Sequence, residues 1–280
     1  MRLHFVYRTT GGESAKPRPT FYSKDIALGS FIRAVTATGF DASVTFLVDG
    51  PIDELSLGPL RAAGDVVQLT GLGNSGSYRA ALSFVLTSPV IADEDLIYLA
   101  EDDYIYREDA FAQWLAAARS LDRAAFFTLY DHPDYYRHPA QLKYLSNHHT
   151  RSWPVVEVEW RAVRSTTMTF GARVAALRQL AYFHLLGTRR PYPRDYDIWS
   201  MTTVPSTRLS TAVRLARAPD FFRAEAGGVP VRRFSAMVAR ASTNLLVAPR
   251  AGLATHAEED QLAPGTDWEA VAADYHPDSE

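Results

Sequence analysis

Asp95-Leu96-Ile97-Tyr98-Leu99-Ala100-Glu101-Asp102-Asp103-Tyr104 is the stretch whose reading decides the fold. Leu96 to Ala100 is an apolar run too short for a typical helix, with the length and composition of a buried strand. It runs directly into three carboxylates, Glu101, Asp102 and Asp103. Adjacent acids repel one another, so a buried strand that ends this way calls for a cationic partner. A divalent metal carrying a phosphate answers that need, because hard cations take oxygen ligands and bridge to phosphates. The plainer reading is a solvated strand-to-loop corner.

The flanking sequence favours a site. Leu3 to Tyr7 reads as a first buried strand, followed by a flexible loop from Arg8-Thr9-Thr10-Gly11-Gly12 through Pro17 and Pro19. Ser23 caps a helix with Ile26 or Leu28, Phe31, Ile32 and Val35 on one face, and Gly39 stops it. Ser43–Val48 and Asp65–Thr70 give two more strands, joined by a short connector after Asp49-Gly50-Pro51. The turn Gly71-Leu72-Gly73-Asn74-Ser75-Gly76 then leads to a helix from about Ser77 to Leu86. This alternation implies an α/β protein with a mixed, mostly parallel sheet flanked by helices. Ligands of such sheets bind outside the carboxyl ends of the strands, where Asp49, the glycine turn and Glu101 to Asp103 all fall.

Beyond the acids, a helix opens on Glu108 and Asp109 and buries Phe111, Trp114, Leu115, Ala118 and Leu121. Ala124–Tyr130, Val155–Trp160 and Thr166–Phe170 read as strands, and Arg173 to about Leu186 as a helix. The segment from Asp131 to Pro154 lacks periodicity but is rich in rings: Tyr135, Tyr136, Tyr144, Trp153 and His132, His138, His148, His149. Those rings suit either sugar stacking or the covering of a core. Asp131, His132, Asp134 and His138 could also be read as a hydrolase metal cluster, though no helix fixes their spacing. A basic loop, Arg189-Arg190-Pro191-Tyr192-Pro193-Arg194, offers phosphate contacts or simply a solvated surface. Asp195-Tyr196-Asp197-Ile198-Trp199 opens a short helix, Ser206 to about Arg217 forms another, and strand-like pieces recur near Phe234 and at Leu245–Val247. We expect one domain over 1–257, divided at about residue 115 into a nucleotide half and an acceptor half, with 258–280 as a polar, partly disordered tail.

Composition narrows the function. The 280 residues are 47% hydrophobic and 22% charged, enough for a proper core. A net charge of −3 gives no basic footprint for gripping nucleic acid. The absence of cysteine excludes disulfides, zinc–thiolate sites and thiol nucleophiles. No apolar run approaches the ~20 residues of a membrane span, and the N-terminus does not read as a signal peptide. We expect a cytoplasmic protein, with peripheral membrane contact left open.

Gly71 to Gly76 is literally GxGxxG, but it follows the third strand, and Asp93 and Asp95 stand before the next strand instead of at its end. A Rossmann dinucleotide site is therefore disfavoured against a turn that lets a nucleotide approach backbone N–H groups, or a purely structural turn.

An apolar strand ending Glu101-Asp102-Asp103, then an aromatic and an aliphatic residue and a helix opening with acids, resembles the metal motif of GT-A-fold glycosyltransferases. It is closest to the EDD form of the N-acetylglucosaminyltransferase I type. Arg8-Thr9-Thr10, Asp49 and Asn74 to Gly76 resemble the nucleotide-binding half of family 2-like enzymes of that fold. The resemblance implies a nucleoside diphosphate sugar as donor, a carbohydrate or lipid-linked hydroxyl as acceptor, and Mn²⁺ or Mg²⁺ as cofactor. Asp103 would ligate the metal, Glu101 and Asp102 would face ribose or sugar, and Thr9 and Asp49 would face base and ribose. Arg194-Asp195-Tyr196-Asp197-Ile198-Trp199 is similar to the Glu-Asp-x-Asp-Leu pattern of the acceptor helix, with Arg194 where an acid is usual. That implies Asp195 as general base with inversion, Asp197 as the runner-up, and capping of a helix N-terminus as the alternative role for both. His256, after the last strand, stands where many such enzymes complete the metal site. Two other readings remain: a nucleotidyltransferase on a related fold, and a non-catalytic carbohydrate-binding or scaffold protein.

Overall fold

The computed structural model describes residues 1–12, 15–148, 152–188, 191–203 and 244–275, with the side chains of 144–148 outside the described set. The expected helix from Ser206, the strand-like piece near Phe234, and Arg189, Arg190, Tyr144, His148 and His149 as side chains lie outside it.

The sheet is built first from the N-terminal alternation. All seven residues of β1 (Leu3–Thr9) are buried. It pairs in parallel with β2 (Ala42–Asp49) on one side and β4 (Leu96–Glu101) on the other, and β2 pairs in parallel with β3 (Asp65–Leu69). The sheet continues through β9 (Phe170–Arg173), β6 (Ala124–Phe127), β10 (Leu245–Pro249), β8 (Val158–Val163) and β7 (Ser152–Val155), in the order β3-β2-β1-β4-β9-β6-β10-β8-β7. Only β8 and β9 run against the other strands of this sheet, so it is mixed and mostly parallel, as the alternation of strands and helices implies. A separate two-stranded ribbon pairs β5 (Tyr104–Tyr106) with β11 (Ala254–His256) antiparallel.

Strand periodicity sends alternate residues to two cores. Phe5, Tyr7, Tyr98 and Ala100 face a layer holding α1 (Lys24–Thr36), α2 (Glu54–Ala63), α4 (Ala110–Ser120) and α9 (Trp268–Ala273). Val6, Ile97 and Leu99 face α3 (Gly73–Thr87), α7 (Val174–Gly187) and α8 (Asp195–Thr203). The first layer is a ring cluster in which Phe111 lies 4.7 Å from Phe5 and 4.8 Å from Tyr98, ring centre to ring centre, both edge to face. Each such pair contributes roughly 0.5–1.5 kcal/mol beyond its area. Gly171 in β9 makes room for that layer, since a Cβ there would lie 2.6 Å from the Trp114 ring.

Several expectations are corrected. The connector after Pro51 contains α2, started by Asp53, whose carboxylate accepts the Ser56 N–H at 2.8 Å. Of the expected strand Val155–Trp160, Val158 to Trp160 lie in β8, but Val155 ends β7 and the chain turns between the two, with Val156 at φ 54. The aperiodic segment after Asp131 holds α5 (Asp134–Arg137) and α6 (Pro139–His148). The chain past Glu258 is folded through residue 275, because Leu262, Ala263, Trp268 and Ala272 give it an apolar side, and Trp268 is buried. Among the described residues no helix is long and apolar enough to cross a membrane.

Candidate functional site

The carboxyl ends of β1, β2 and β4 open onto a cleft of about 590 Å³ lined by Arg8, Thr9, Asp49, Asn74 and Glu101 to Asp103, among others. Register brings these residues together: Arg8 sits opposite Glu101 across the β1–β4 pair. The chain itself supplies the counter-charge that the three acids require. Arg8 Nη2 lies 2.6 Å from Glu101, Lys24 Nζ lies 3.0 Å from Asp102, and Arg18 Nη2 lies 3.2 Å from Asp103. Thr9 donates its hydroxyl to Asp102 at 2.8 Å, and Thr169 donates to Glu101 at 2.8 Å. Lys16, Arg18, Tyr22 and Lys24 all reach this cleft from the loop and helix start after β1. That loop carries no periodic signal, so its cations are not readable as site residues from sequence.

Asp103 has a second partner. The ribbon sets His256 opposite Tyr104, whose ring stacks on the imidazole with centroids 5.1 Å apart and planes 18° apart. So held, His256 Nε2 lies 2.9 Å from Asp103 Oδ2 and 3.3 Å from Glu258 Oε1. One ligand atom from each of Asp103, His256 and Glu258 falls within 4.8 Å of the others. Asp103 Oδ1 is buried without a hydrogen-bond partner. A carboxylate oxygen in that state, beside an imidazole and a second carboxylate, fits a divalent cation. Burial alone would raise the Asp103 pKa, but His256 and Arg18 hold it well below the usual carboxylate range. For His256 burial opposes the charged form, yet Asp103 and then Glu258 outweigh it and raise its pKa. Glu258 is a ligand candidate that the sequence reading left in the tail. The His-x-Glu spacing was its available signal, and a tight turn realises it, with Glu258 N–H donating to the His256 carbonyl at 2.9 Å.

The glycine turn is not an open anion cradle. Asp49 accepts the N–H of Leu72 at 2.6 Å and of Gly73 at 2.7 Å, and the N–H of Ser75 donates to the Pro191 carbonyl at 3.1 Å. The helix therefore starts at Gly73 instead of Ser77, capped by a carboxylate that the sequence reading had facing base and ribose. Gly73 and Asn74 line the cleft, whereas Gly76 does not. Gly76 is instead pressed on the Leu72 side chain, 2.5 Å from where a Cβ would stand.

A second cleft, about 360 Å³, is lined by His132, Asp134, Tyr135, His138, Gln141, Ser165, Thr166, Asp195 and Tyr196. Burial raises the Asp195 pKa, and the charges of Glu101, Asp197 and Asp134 raise it further. Its coupling to Glu101 joins this cleft electrostatically to the first. Asp197 is placed differently: it is buried and ion-paired with Arg194 Nε at 2.7 Å, which explains the arginine at that position. The hydrolase grouping is not assembled. Asp131 is buried against Arg161 at 2.7 Å and accepts the Tyr136 hydroxyl at 2.7 Å, and among the described residues the only group close enough to hold a metal is that of Asp103, His256 and Glu258. Of the rings in that segment, Tyr135 is core and Tyr136 is stacked by Arg161.

No protein-family model matches the chain, and no curated protein matches it. Among solved structures the chain is similar to glucosyl-3-phosphoglycerate synthase from Mycobacterium tuberculosis in complex with Mn²⁺, UDP and glucosyl-3-phosphoglycerate. That likeness has 11% identity and a TM-score of 0.42, covering 85% of this chain and 76% of that one. Mouse xyloside xylosyltransferase 1 is similar at 11% identity and a TM-score of 0.37, over 89% of this chain and 97% of that one. A 4-diphosphocytidyl-2C-methyl-D-erythritol synthase is similar at 11% identity and a TM-score of 0.38, over 65% and 79%. Likenesses this weak assign no role to any residue here.

Proposed function

We propose that the protein is a metal-dependent glycosyltransferase that moves a sugar from a nucleoside diphosphate donor to an acceptor hydroxyl. The observation that carries this reading is the meeting of Asp103, His256 and Glu258, the first and last of which line the cleft at the carboxyl ends of β1, β2 and β4 together with four cations. Asp103, His256 and Glu258 would hold the ion, which as a Lewis acid would offset charge building on the departing diphosphate. An imidazole in the donor set suits Mn²⁺ better than Mg²⁺.

In this reading Thr9, Asp102 and Asn74 border the nucleoside, while Glu101 faces the sugar between the two clefts. Asp49 acts on the donor only indirectly, by fixing the glycine turn. Asp195 stands at the acceptor cleft and takes the proton of the attacking hydroxyl. Its raised pKa, caused first by burial and then by the neighbouring carboxylates, strengthens it as a base. Attack from the acceptor side, opposite the diphosphate, gives inversion.

The test is thermal stabilisation by UDP, GDP, ADP, CDP and dTDP with Mn²⁺, compared with EDTA. Stabilisation by a nucleotide that EDTA removes supports the reading, and its absence with every nucleotide refutes it. Release of pyrophosphate from a nucleoside triphosphate would favour a nucleotidyltransferase instead. Glycan binding indifferent to EDTA, with no donor turnover, would favour a carbohydrate-binding protein.

A further inference from the structure

Resting on the donor reading above, we propose that Lys16 and Arg18 are two-position cations. Without metal they hold Glu258 and Asp103, and when a divalent ion takes those carboxylates they turn to the diphosphate of the donor.

Charge balance motivates the idea. The cleft wall carries five carboxylates, Asp49, Glu101, Asp102, Asp103 and Glu258, and four cations, Arg8, Lys16, Arg18 and Lys24. Of the four, Arg8 and Lys24 sit on Glu101 and Asp102, which lie outside the metal group. Lys16 and Arg18 sit on Glu258 and Asp103, which lie within it. A divalent ion therefore competes directly with these two side chains for the same oxygens. A nucleoside diphosphate ester brings roughly two negative charges, so ion and donor together leave the charge of the cleft unchanged. The two displaced cations then need an anion, and both line the cavity in which the diphosphate would lie.

Arg18 is fitted to such a change. Its side chain is only 16% exposed, one guanidinium nitrogen donates to the Ala257 carbonyl at 2.7 Å, and the ring of Tyr22 supports it at 5.0 Å. Its Nε is buried without a hydrogen-bond partner, leaving a donor unused while Arg18 faces Asp103. A diphosphate offers the planar fork more acceptors than a single carboxylate oxygen does. Lys16 is more exposed, at 61%, and reaches Glu258 on a flexible stem.

The consequence is coupling: the ion frees the two cations for the nucleotide, and the nucleotide draws them off the ion's ligands. Calorimetric titration of the full chain measures it, first with Mn²⁺ alone and then with UDP, GDP, ADP, CDP and dTDP, with and without Mn²⁺. Arg18→Gln and, separately, Lys16→Gln should tighten binding of Mn²⁺ alone by about fivefold, the scale of one partly exposed ion pair, and weaken nucleotide binding in Mn²⁺ by about as much. Arg18→Lys should recover part of the nucleotide affinity. Lys16 is exposed enough that its variant will fold even if the Arg18 variants do not. If wild type binds a nucleotide with Mn²⁺ but the variants move both affinities the same way, or neither, the inference falls and the donor reading stands. If wild type binds no nucleotide under any condition, both fall.

Discussion

His256 Nε2 lies 2.9 Å from Asp103 Oδ2, although 153 residues separate the two in sequence. The β5–β11 ribbon brings them together, because His256 at the end of β11 pairs with Tyr104, the residue that follows Asp103. Asp103 and Glu258 favour the protonated imidazole over the opposing effect of burial and so raise the His256 pKa. A metal has to replace that proton, which orders the first prediction.

Asp103→Asn and Glu258→Gln should each weaken Mn²⁺ by at least about tenfold, by analogy with the loss of one partner from a metal centre. Binding of Mn²⁺ by the wild-type protein should tighten as pH rises through the raised pKa of His256, because the ion competes with its proton. Calorimetry at pH 6 and pH 8 checks both, and equal affinity at the two pH values would remove His256 from the donor set.

Asp195→Asn should leave nucleotide binding intact and slow transfer by about 10²–10⁴-fold, the usual contribution of a general base. The base must be ionised, so the rate should fall as pH drops through the Asp195 pKa. Since that pKa is raised, the acidic limb lies above the ordinary carboxylate value of 3.8. Asp197→Asn should instead destabilise the fold by freeing the Arg194 charge. A rate loss equal to that of Asp195→Asn, with stability unchanged, would reverse the two roles.

Asp49→Ala should cost about 1 kcal/mol of stability in urea unfolding, with a range of roughly 0.5–2, because it uncaps the start of α3. Both carboxylate oxygens are engaged on the Leu72 and Gly73 N–H groups. A variant of full stability that has lost its nucleotide would return Asp49 to the ribose.

His184 predicts the acid side of the stability curve. It is fully buried, with Nδ1 2.7 Å from the Tyr78 hydroxyl, and burial pushes its pKa down to about 3. The unfolded chain takes up that proton at an ordinary pKa of about 6.5 and the folded chain does not, so stability falls as pH drops from about 6.5 toward 3. The slope is about 1.4 kcal/mol per pH unit from this group. His132, pushed down to about 4 mainly by burial, adds to it. Urea unfolding at pH 7 and 4.5 should show the loss, and His184→Phe should shrink it.

The N-terminal part of the sheet was legible because its strands are short apolar runs with clear ends, and their shared direction placed Arg8, Thr9, Asp49 and the three acids on one edge. Three kinds of feature escaped. The α2 helix contains Gly58 and Pro59, which read as a loop, and its N-cap Asp53 was the overlooked sign. The β7–β8 turn passes through Val156 in a left-handed conformation that a β-branched residue rarely adopts, so alternation carried the expected strand straight across it. The counter-charges Lys16, Arg18 and Lys24 come from aperiodic sequence and meet the acids only through tertiary structure. Repulsion among Glu101, Asp102 and Asp103 was read correctly as needing cations, yet most of that need is met by the chain itself.

The two-stranded ribbon also sets an order of events during synthesis. β5 emerges early and its partner β11 very late, about 150 residues apart. A nascent chain can lay down β1 to β4 and expose its three acids long before His256 or Glu258 exists. Until then the ligand atoms of His256 and Glu258 are missing, so an ion meeting the growing chain finds Asp103 without its two partners in this group.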